Sequence, residues 1–230
     1  ASNSFLATKI SFINAIAQIC DKVGADVAEV SKGMGLDKRI GSSFLNAGVG
    51  YGGSCFPKDL DAFINLAQKL GYDFELLKAA QEINEQQKRI FLNKVRDALW
   101  IIKDKTIGVL GLSFKPNTDD IRNAPSIDII KALQSEGAKI RAYDPRVTEQ
   151  AVRMLGDVTF CEDAYAVCKG SECLLIVTEW DEFKELDFTK VKKLLKRPII
   201  VDGRNLYDPT AMEKMGFKYS GIGRGRRWKR

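Results

Sequence analysis

The sequence contains no histidine among its 230 residues. This absence excludes a catalytic cysteine–histidine pair of the protease kind, so carboxylates and ordered water remain as proton acceptors. Disulfide and zinc patterns are also missing, because the five cysteines are an odd number without CxxC spacing. We therefore expect reduced thiols and predict no metal site.

Long hydrophobic runs are missing as well. No stretch approaches the roughly 20 uncharged apolar residues that a membrane span needs, and no signal peptide precedes the first helical pattern. We expect a soluble, cytoplasmic protein with no membrane partner. Its 230 residues, 45% of them hydrophobic, can bury one large core or two modest ones, and we expect two compact units.

The net charge of +6 comes almost entirely from the last residues. Five of the six charges lie in the tail "GRGRRWKR", namely at Arg224, Arg226, Arg227, Lys229 and Arg230. The remaining body is nearly neutral, and a short charged tail is more often solvated than functional. We therefore expect no nucleic-acid partner.

Helical periodicity begins at the first residues, where Leu6, Ile10, Ile13, Ala17 and Cys20 recur on one face. Because the chain starts within this pattern and without methionine, we expect a fragment. The position of Asn3 predicts an N-cap for this first helix. A second short helix is predicted through "DVAEVSKGM", followed by a long glycine-rich connection of the kind that is usually functional.

The connection ends in "GVGYGGSCFPKD", residues 48–59, and a helix follows it. An apolar stripe from Leu60 to Leu70 and Pro57 in the first turn place Cys55 at or beside the N-cap. The positive end of the helix dipole and the cation of Lys58 should favour the thiolate form of Cys55. Asp59, four residues on, should share its helical face, where a carboxylate can accept a proton.

An inert role is the usual one for a cysteine, since cysteine is among the most buried residue types. That interpretation suits Cys20, Cys168 and Cys173, which lie in apolar patterns. Only Cys55 combines a helix start, a neighbouring cation and four nearby glycines. We expect those glycines to let the backbone approach a ligand and offer amides to it.

The second half of the chain changes its pattern. Residues 74–102 carry helical periodicity without glycine or proline and predict one long helix. This helix could be a spine between two units, a subunit interface or an ordinary core helix. From Lys105, short apolar runs alternate with helical ones and predict a parallel sheet. "GVLGLSF" lacks the spacing of a dinucleotide fingerprint. Cations that follow the strands, Lys115, Arg122 and Arg204, suit phosphate oxygens or solvent equally.

Together these patterns predict an α/β protein with more than one domain: a helical unit over residues 1–103, a Rossmann-like α/β unit over 104–223 and the basic tail 224–230. Five segments carry a resemblance, in this order: "NSFLATKISFIN", "RIGSSFLNAGVGYGGSCFPKD", "GLSFKPNTDDIR", "TEWDEF" and "DGRN". The chain up to its tail resembles the UDP-glucose/GDP-mannose dehydrogenase family, without the N-terminal NAD-binding domain. The helical unit would then be the central dimerisation domain and the α/β unit the UDP-sugar domain.

The resemblance also implies roles for individual residues. Cys55 would be the nucleophile, Asn3 would stabilise an oxyanion and contact the substrate, and Asp59 would assist proton transfer. Arg39 would reach the substrate of a neighbouring subunit, so a homodimer or higher homo-oligomer is expected. The other implied contacts are to the UDP-sugar by Phe44, Leu45, Asn46, Ala47, Gly48, Gly52, Lys115 and, with less support, Arg204, and to NAD by Lys58 and Arg122. A lysine that the family carries would fall just before Ala1, and some relatives carry lysine where this chain has Asn46.

The implied reaction is oxidation of a sugar C6 alcohol to a carboxylate, by two hydride transfers to NAD, with UDP-glucose as the expected substrate. A thiolate adduct makes the second transfer possible and leaves a thioester that water cleaves. Within the family, GDP-mannose and UDP-N-acetylmannosamine dehydrogenases remain alternatives. In a different class, these residues alone could be a non-catalytic module that binds a sugar nucleotide and dimerises.

Overall fold

The computed structural model describes residues 1–146 and 149–225, without the side chains of 149 and 150. The first part is helical: α1 (Ser2–Val23), α2 (Val27–Gly35), α3 (Phe56–Lys69) and α4 (Glu75–Leu99). The second predicted helix is confirmed, and the side chain of Asp26 caps it by accepting from the Ala28 amide. The predicted capping by Asn3 is wrong, because α1 already begins at Ser2 and the Asn3 side chain bonds elsewhere.

The long helix α4 joins the two halves of the molecule. Its buried residues recur at helical spacing, and those from Phe91 to Leu99 enter one core with Ile13 and Ala17 of α1 and with Val109 and Val201 of the sheet. The prediction of one long helix is confirmed, although it ends at Leu99, since Trp100 adopts a positive φ of 68° and is exposed. The structure thus supports the spine interpretation of this helix.

The described part of the second half contains six strands in one parallel sheet: β1 (Thr106–Leu110), β2 (Lys139–Tyr143), β3 (Val158–Phe160), β4 (Cys173–Ile176), β5 (Ile199–Asp202) and β6 (Lys218–Gly221). Their order is β3-β2-β1-β4-β5-β6, the doubly wound arrangement, so the predicted α/β class is confirmed. The helices between them are α5 (Pro125–Ser135), α6 (Glu149–Leu155), α7 (Ala164–Cys168), α8 (Asp181–Lys184), α9 (Phe188–Leu194) and α10 (Pro209–Lys214).

The two faces of the sheet are covered differently. One face shares the core that includes α1, α4 and α5, while the other packs on α7, α8, α9 and α10 through residues such as Val167, Phe183 and Met212. A central strand that is buried on both faces has a continuous run of apolar residues, as β4 "CLLI" does. The helical part therefore lies against one side of the sheet, and the segment between α2 and α3 comes close to the carboxyl end of β5.

Some expectations concern only the ends and the surface. Within residues 1–146 and 149–225, no helix is long and apolar enough to cross a membrane. Of the predicted tail, residues 226–230 lie outside the described residues, whereas Arg224 belongs to the folded body, its Nε 3.0 Å from a carboxylate oxygen of Asp26. Arg224 is thus not part of a solvated tail.

Candidate functional site

Cys55 lies at the N-cap of α3, as predicted. Its thiol is exposed and Pro57 stands in the first turn of the helix. The Asp59 amide donates to the Cys55 carbonyl at 2.9 Å, which closes the first turn and puts the two residues one turn apart. The Ser54 hydroxyl lies 3.7 Å from the Cys55 sulfur. An exposed thiol among orphan helix amides has the setting of a nucleophile.

Asn3 and Asp59 are brought into direct contact although 56 residues separate them. Asn3 Nδ2 donates to Asp59 Oδ2 at 2.7 Å, and both residues are half-buried. The start of α1 therefore packs at the start of α3, and the three residues predicted to be catalytic form one cluster. This bond uses one of the two Nδ2 hydrogens of Asn3.

The glycine-rich segment before Cys55 is held against the rest of the protein. A Cβ on Gly52 would overlap the carbonyl oxygen of Asn123, so only glycine fits where these two segments of the chain meet. The Gly53 amide donates to the Arg122 carbonyl at 2.9 Å, and Asn123 Nδ2 donates to the Gly53 carbonyl at 3.2 Å. The glycines thus bring the backbone close to other protein segments, and the Gly53 amide is not offered to a ligand as we expected.

Buried amide side chains of the helices hold this segment as well, and the sequence analysis missed them. Asn84 accepts from the Tyr51 amide at 2.8 Å and donates to the Tyr51 carbonyl at 3.1 Å. Asn14 and Gln87 bind the Gly48 peptide in the same manner. Burial raises the pKa of Tyr51 to about 12. The sequence did contain a signal for these two amides, because Asn84 and Gln87 occupy positions of α4 where the helical pattern calls for apolar residues.

Arg204 ties the segment to the sheet. This half-buried residue follows β5, and its guanidinium donates to the Gly50 carbonyl at 3.0 Å and the Val177 carbonyl at 2.8 Å. Glu179 lies 3.1 Å from the same guanidinium. Asn205, also missed by the sequence analysis, donates to the carbonyls of Ala47 and Ile222. The predicted cation is thus placed beside the predicted substrate segment.

A pocket of about 320 Å³ opens beside Arg204. Its walls include Leu45, Asn46 and Ala47 of the predicted substrate segment and the basic residues Lys32 and Arg224. Phe44, Gly48, Gly52 and Lys115 do not line it. The lining is more apolar than polar but includes three cations, so the pocket suits an anionic ligand that also offers apolar surface.

The remaining predicted cations are exposed. Arg122 pairs with Asp120, whose carboxylate raises the pKa of Arg122, and Arg122 in turn lowers the pKa of Asp120. The Cys55 sulfur is near enough to contribute a small further rise in the pKa of Arg122. Lys58 lies one turn from Cys55, and the Lys115 amine stands 5.4 Å from the ring of Phe114. Lys58, in the first turn of α3, and Arg122, whose carbonyl accepts from the Gly53 amide, are therefore both near the start of α3.

Arg39 contacts Asp37 and lies far out on the surface. Its guanidinium is 2.6 Å from the Asp37 carboxylate, its side chain is 89% exposed, and Asp37 raises its pKa. The structure does not bring Arg39 into the pocket or to the Cys55 cluster of its own chain.

The sheet itself does not fit a dinucleotide. The acidic residue after β2, Asp144, is buried and already accepts from the Leu112 and Ser113 amides, the Ser113 hydroxyl and the Trp180 indole. In a dinucleotide-binding sheet an acidic residue in this region binds the ribose. Because this carboxylate is occupied and the glycine fingerprint is missing, we assign no cofactor site to the sheet.

Comparison with known proteins identifies the family of this chain. The "UDP-glucose/GDP-mannose dehydrogenase family, central domain" matches residues 1–86, and the "UDP binding domain" of the same family matches residues 108–209. The chain is 51% identical over 225 residues to UDP-glucose 6-dehydrogenase TuaD of Bacillus subtilis, covering 97% of this chain and 49% of the relative. It is 46% identical over 225 residues to UDP-glucose 6-dehydrogenase of Rhizobium meliloti, covering 97% and 52%.

Solved structures agree. A UDP-glucose dehydrogenase from the archaeon Pyrobaculum islandicum superposes with a TM-score of 0.87 at 39% identity, covering 97% of this chain and 49% of that one. A UDP-D-ManNAc dehydrogenase from Pyrococcus horikoshii gives 0.85 at 28% identity, covering 97% and 50%. The chain spans about half the length of the curated relatives it matches. It belongs to the UDP-glucose/GDP-mannose dehydrogenase family.

Proposed function

We propose that this chain is the central and C-terminal part of an NAD-dependent UDP-glucose 6-dehydrogenase, which oxidises the C6 alcohol of UDP-glucose to the carboxylate of UDP-glucuronate. The observation that carries the proposal is the cluster at the start of α3, where the exposed Cys55 thiol lies one turn from Asp59 and Asp59 binds Asn3. The names of the relatives at 46% and 51% identity favour UDP-glucose over other nucleotide sugars.

Cys55 is the nucleophile in this proposal. Oxidation of the alcohol gives a C6 aldehyde, and the Cys55 thiolate adds to its carbonyl carbon to form a thiohemiacetal. Loss of hydride from C6 of this adduct turns it into a thioester. Water then adds to the thioester carbonyl, and the carbon–sulfur bond breaks to release the carboxylate and return the thiolate.

Asn3 and Asp59 would serve the charges and protons of these steps. An oxyanion forms when the thiolate adds and again when water adds, and an amide donor such as Asn3 Nδ2 stabilises it. Asp59 is the acceptor within reach for the proton of the attacking water, since the chain has no histidine. The 2.7 Å bond between Asn3 and Asp59 fixes the two groups relative to each other, one helical turn from Cys55.

NAD, when bound, would supply the hydride acceptor. Lys58 and Arg122 fit contacts to its phosphates, because both are exposed cations near the start of α3. Because the Asp144 carboxylate is already bonded within the protein, we expect the main cofactor site to lie outside the sheet and these 230 residues alone to be inactive. The unpaired cysteines in the described residues support a cytoplasmic location.

The nucleotide sugar would lie along residues 44–48 and 52, with its phosphates near Lys115 and Arg204. Residues 45–47 and Arg204 line the pocket described above, which supports this assignment. A homodimer or higher homo-oligomer would bring Arg39 of one subunit to the substrate of the other. Exposed apolar residues on one face of α1, Phe5, Phe12 and Ile19, favour that helix over α4 as the contact surface.

NADH absorbance tests the proposal. The full-length protein is incubated with NAD and, in separate reactions, UDP-glucose, GDP-mannose and UDP-N-acetylmannosamine. We expect two NADH per UDP-glucose and little with the other sugars, while the 230-residue chain alone gives none. A Cys55→Ser variant should stop net carboxylate formation. Preference for another sugar would refute the substrate, and full activity of Cys55→Ser would refute the mechanism.

A further inference from the structure

We infer that Asn14 and Gln87 are positioning residues for the substrate-binding segment, because together they hold the peptide of Gly48. Asn14 Oδ1 accepts from the Gly48 amide at 2.9 Å, and Gln87 Nε2 donates to the Gly48 carbonyl at 3.2 Å. The inference rests on the proposed function, which assigns residues 44–48 to the nucleotide sugar.

Both amides are fully buried, on helices α1 and α4. A buried amide loses its hydrogen bonds to water and needs partners in exchange. The exchange is incomplete, since Asn14 Nδ2 and Gln87 Oε1 are buried without a partner among the described residues. An apolar side chain of similar size would fill either place, but it would leave the buried amide or carbonyl of Gly48 without this partner. The two amides therefore match the Gly48 peptide and fix its position.

The Gly48 peptide is confined from a third side by the segment after β5. A Cβ on Gly48 would stand 2.7 Å from the Gly203 carbonyl oxygen, and the next amide, of Val49, donates to that same oxygen at 2.9 Å. Gly48 thus lies between α1, α4 and the residue before Arg204. Any shift of this peptide would change how residues 44–47 meet Arg204.

The spacing along α1 connects the two parts of the site. Asn3 and Asn14 are eleven residues apart, about three turns, so they lie on one face of the helix about 16 Å apart. Asn3 binds Asp59 and Asn14 binds Gly48. A rigid helix therefore sets the distance between the catalytic cluster and the substrate segment. Loosening Gly48 should weaken substrate binding and leave the chemistry at Cys55 largely intact.

The test uses Gln87→Met in the full-length protein, with Gln86→Met as the matched control. Methionine keeps the length of the side chain and removes both the bond to Gly48 and the unmatched oxygen. Gln86 is one residue away on α4 and donates to Glu82 at 3.2 Å. We expect Gln87→Met to raise KM for UDP-glucose about fivefold, the equivalent of one neutral hydrogen bond. We expect kcat and KM for NAD to stay near the wild-type values and Tm to fall by only about 2–4 °C, because one buried hydrogen bond is lost. We expect Gln86→Met to change none of these quantities.

Hydrogen exchange gives a second measurement. Asn14→Leu and Gln87→Met should each speed deuterium uptake in the peptide that contains residues 44–50, and UDP should bind both variants more weakly than the wild type. An unchanged KM and unchanged exchange would overturn the inference, as would failure of both variants to fold, which would assign the amides to stability. If the wild type neither binds UDP nor oxidises UDP-glucose, the proposed function fails first. If the wild type does both and the variants match it, only this inference fails.

Discussion

Limiting iodoacetamide should label Cys55 well before the other four cysteines of this chain. Cys55 is exposed, whereas Cys20, Cys168 and Cys173 are buried and Cys161 is half-buried. Alkylation needs a thiolate that the reagent can reach. Burial raises the pKa of each of the four competitors, and for Cys168 it does so to about 12.

The size of the difference follows from the thiolate fractions. At pH 7.5 a thiol of pKa about 12 is ionised in about one molecule in 30,000, and a free thiol of pKa about 8.5 in about one in ten. An exposed thiol that reacts no faster than free cysteine would therefore outpace Cys168 by a factor of about 3,000, before any loss of access. Cys161 is the strongest competitor, because Arg141 partly offsets the effect of its burial.

Peptide mass spectrometry after a short reaction at pH 7.5 measures the outcome. We expect most early label on Cys55, a minor share on Cys161 and none on the buried three until the protein is denatured in urea. A Cys55→Ser variant should lose the fast phase. Even labelling of all five cysteines, or fastest labelling of Cys161 or a buried cysteine, would refute the account of an accessible nucleophile at the start of α3.

Three further predictions concern the glycine-rich segment, Asp59 and the exposed face of α1. Gly52→Ala should lower the free energy of unfolding by about 3 kcal/mol, because the new Cβ would overlap a backbone carbonyl. Gly33→Ala, in open space within α2, should instead raise the free energy of unfolding by about 0.5–1 kcal/mol. Urea titration measures both variants, and equal values would contradict the packing argument. Asp59→Asn should speed labelling of Cys55 up to about threefold by removing a nearby negative charge and should slow turnover; unchanged turnover would exclude Asp59 as proton acceptor. Phe12→Glu should shift the chain towards monomer in sedimentation at micromolar concentration, and a wild-type monomer would count against self-association.

Local patterns predicted the elements that hold the candidate site. The start of α3 follows from Pro57 and an apolar stripe, and both signals lie within one helix. The parallel sheet follows from the alternation of apolar and helical runs. Asn3 shows the limit of such reasoning. Its position near a helix start suggested a cap, but the choice between the helix amides and Asp59, 56 residues away, depends on how α1 packs against α3.

The glycine-rich segment shows a second limit. The sequence indicated that its backbone comes close to something, and the structure shows that the neighbours include Asn123 and Asn84 of the protein itself. Glycine content reports the need for close approach but not the identity of the partner. The amides on α4 did leave a trace, since Asn84 and Gln87 interrupt the apolar series of Leu77, Ala80 and Phe91. Polar residues at core positions of a helix indicate that something polar must be bound there.

The segment between α2 and α3 therefore gets its shape from long-range contacts. Seven of its residues, 47–53, are held by α1, by α4 or by segments that follow strands of the sheet. Their backbone groups either form hydrogen bonds with side chains or carbonyls of these elements or are closely confined by them. Because a loop of this length has a high conformational entropy when free, each such contact removes freedom before any ligand arrives. Binding of a nucleotide sugar would then need little further ordering of the backbone. The buried amides of the helices and Arg204 would thus serve recognition, because they fix in advance the segment that we propose contacts the substrate.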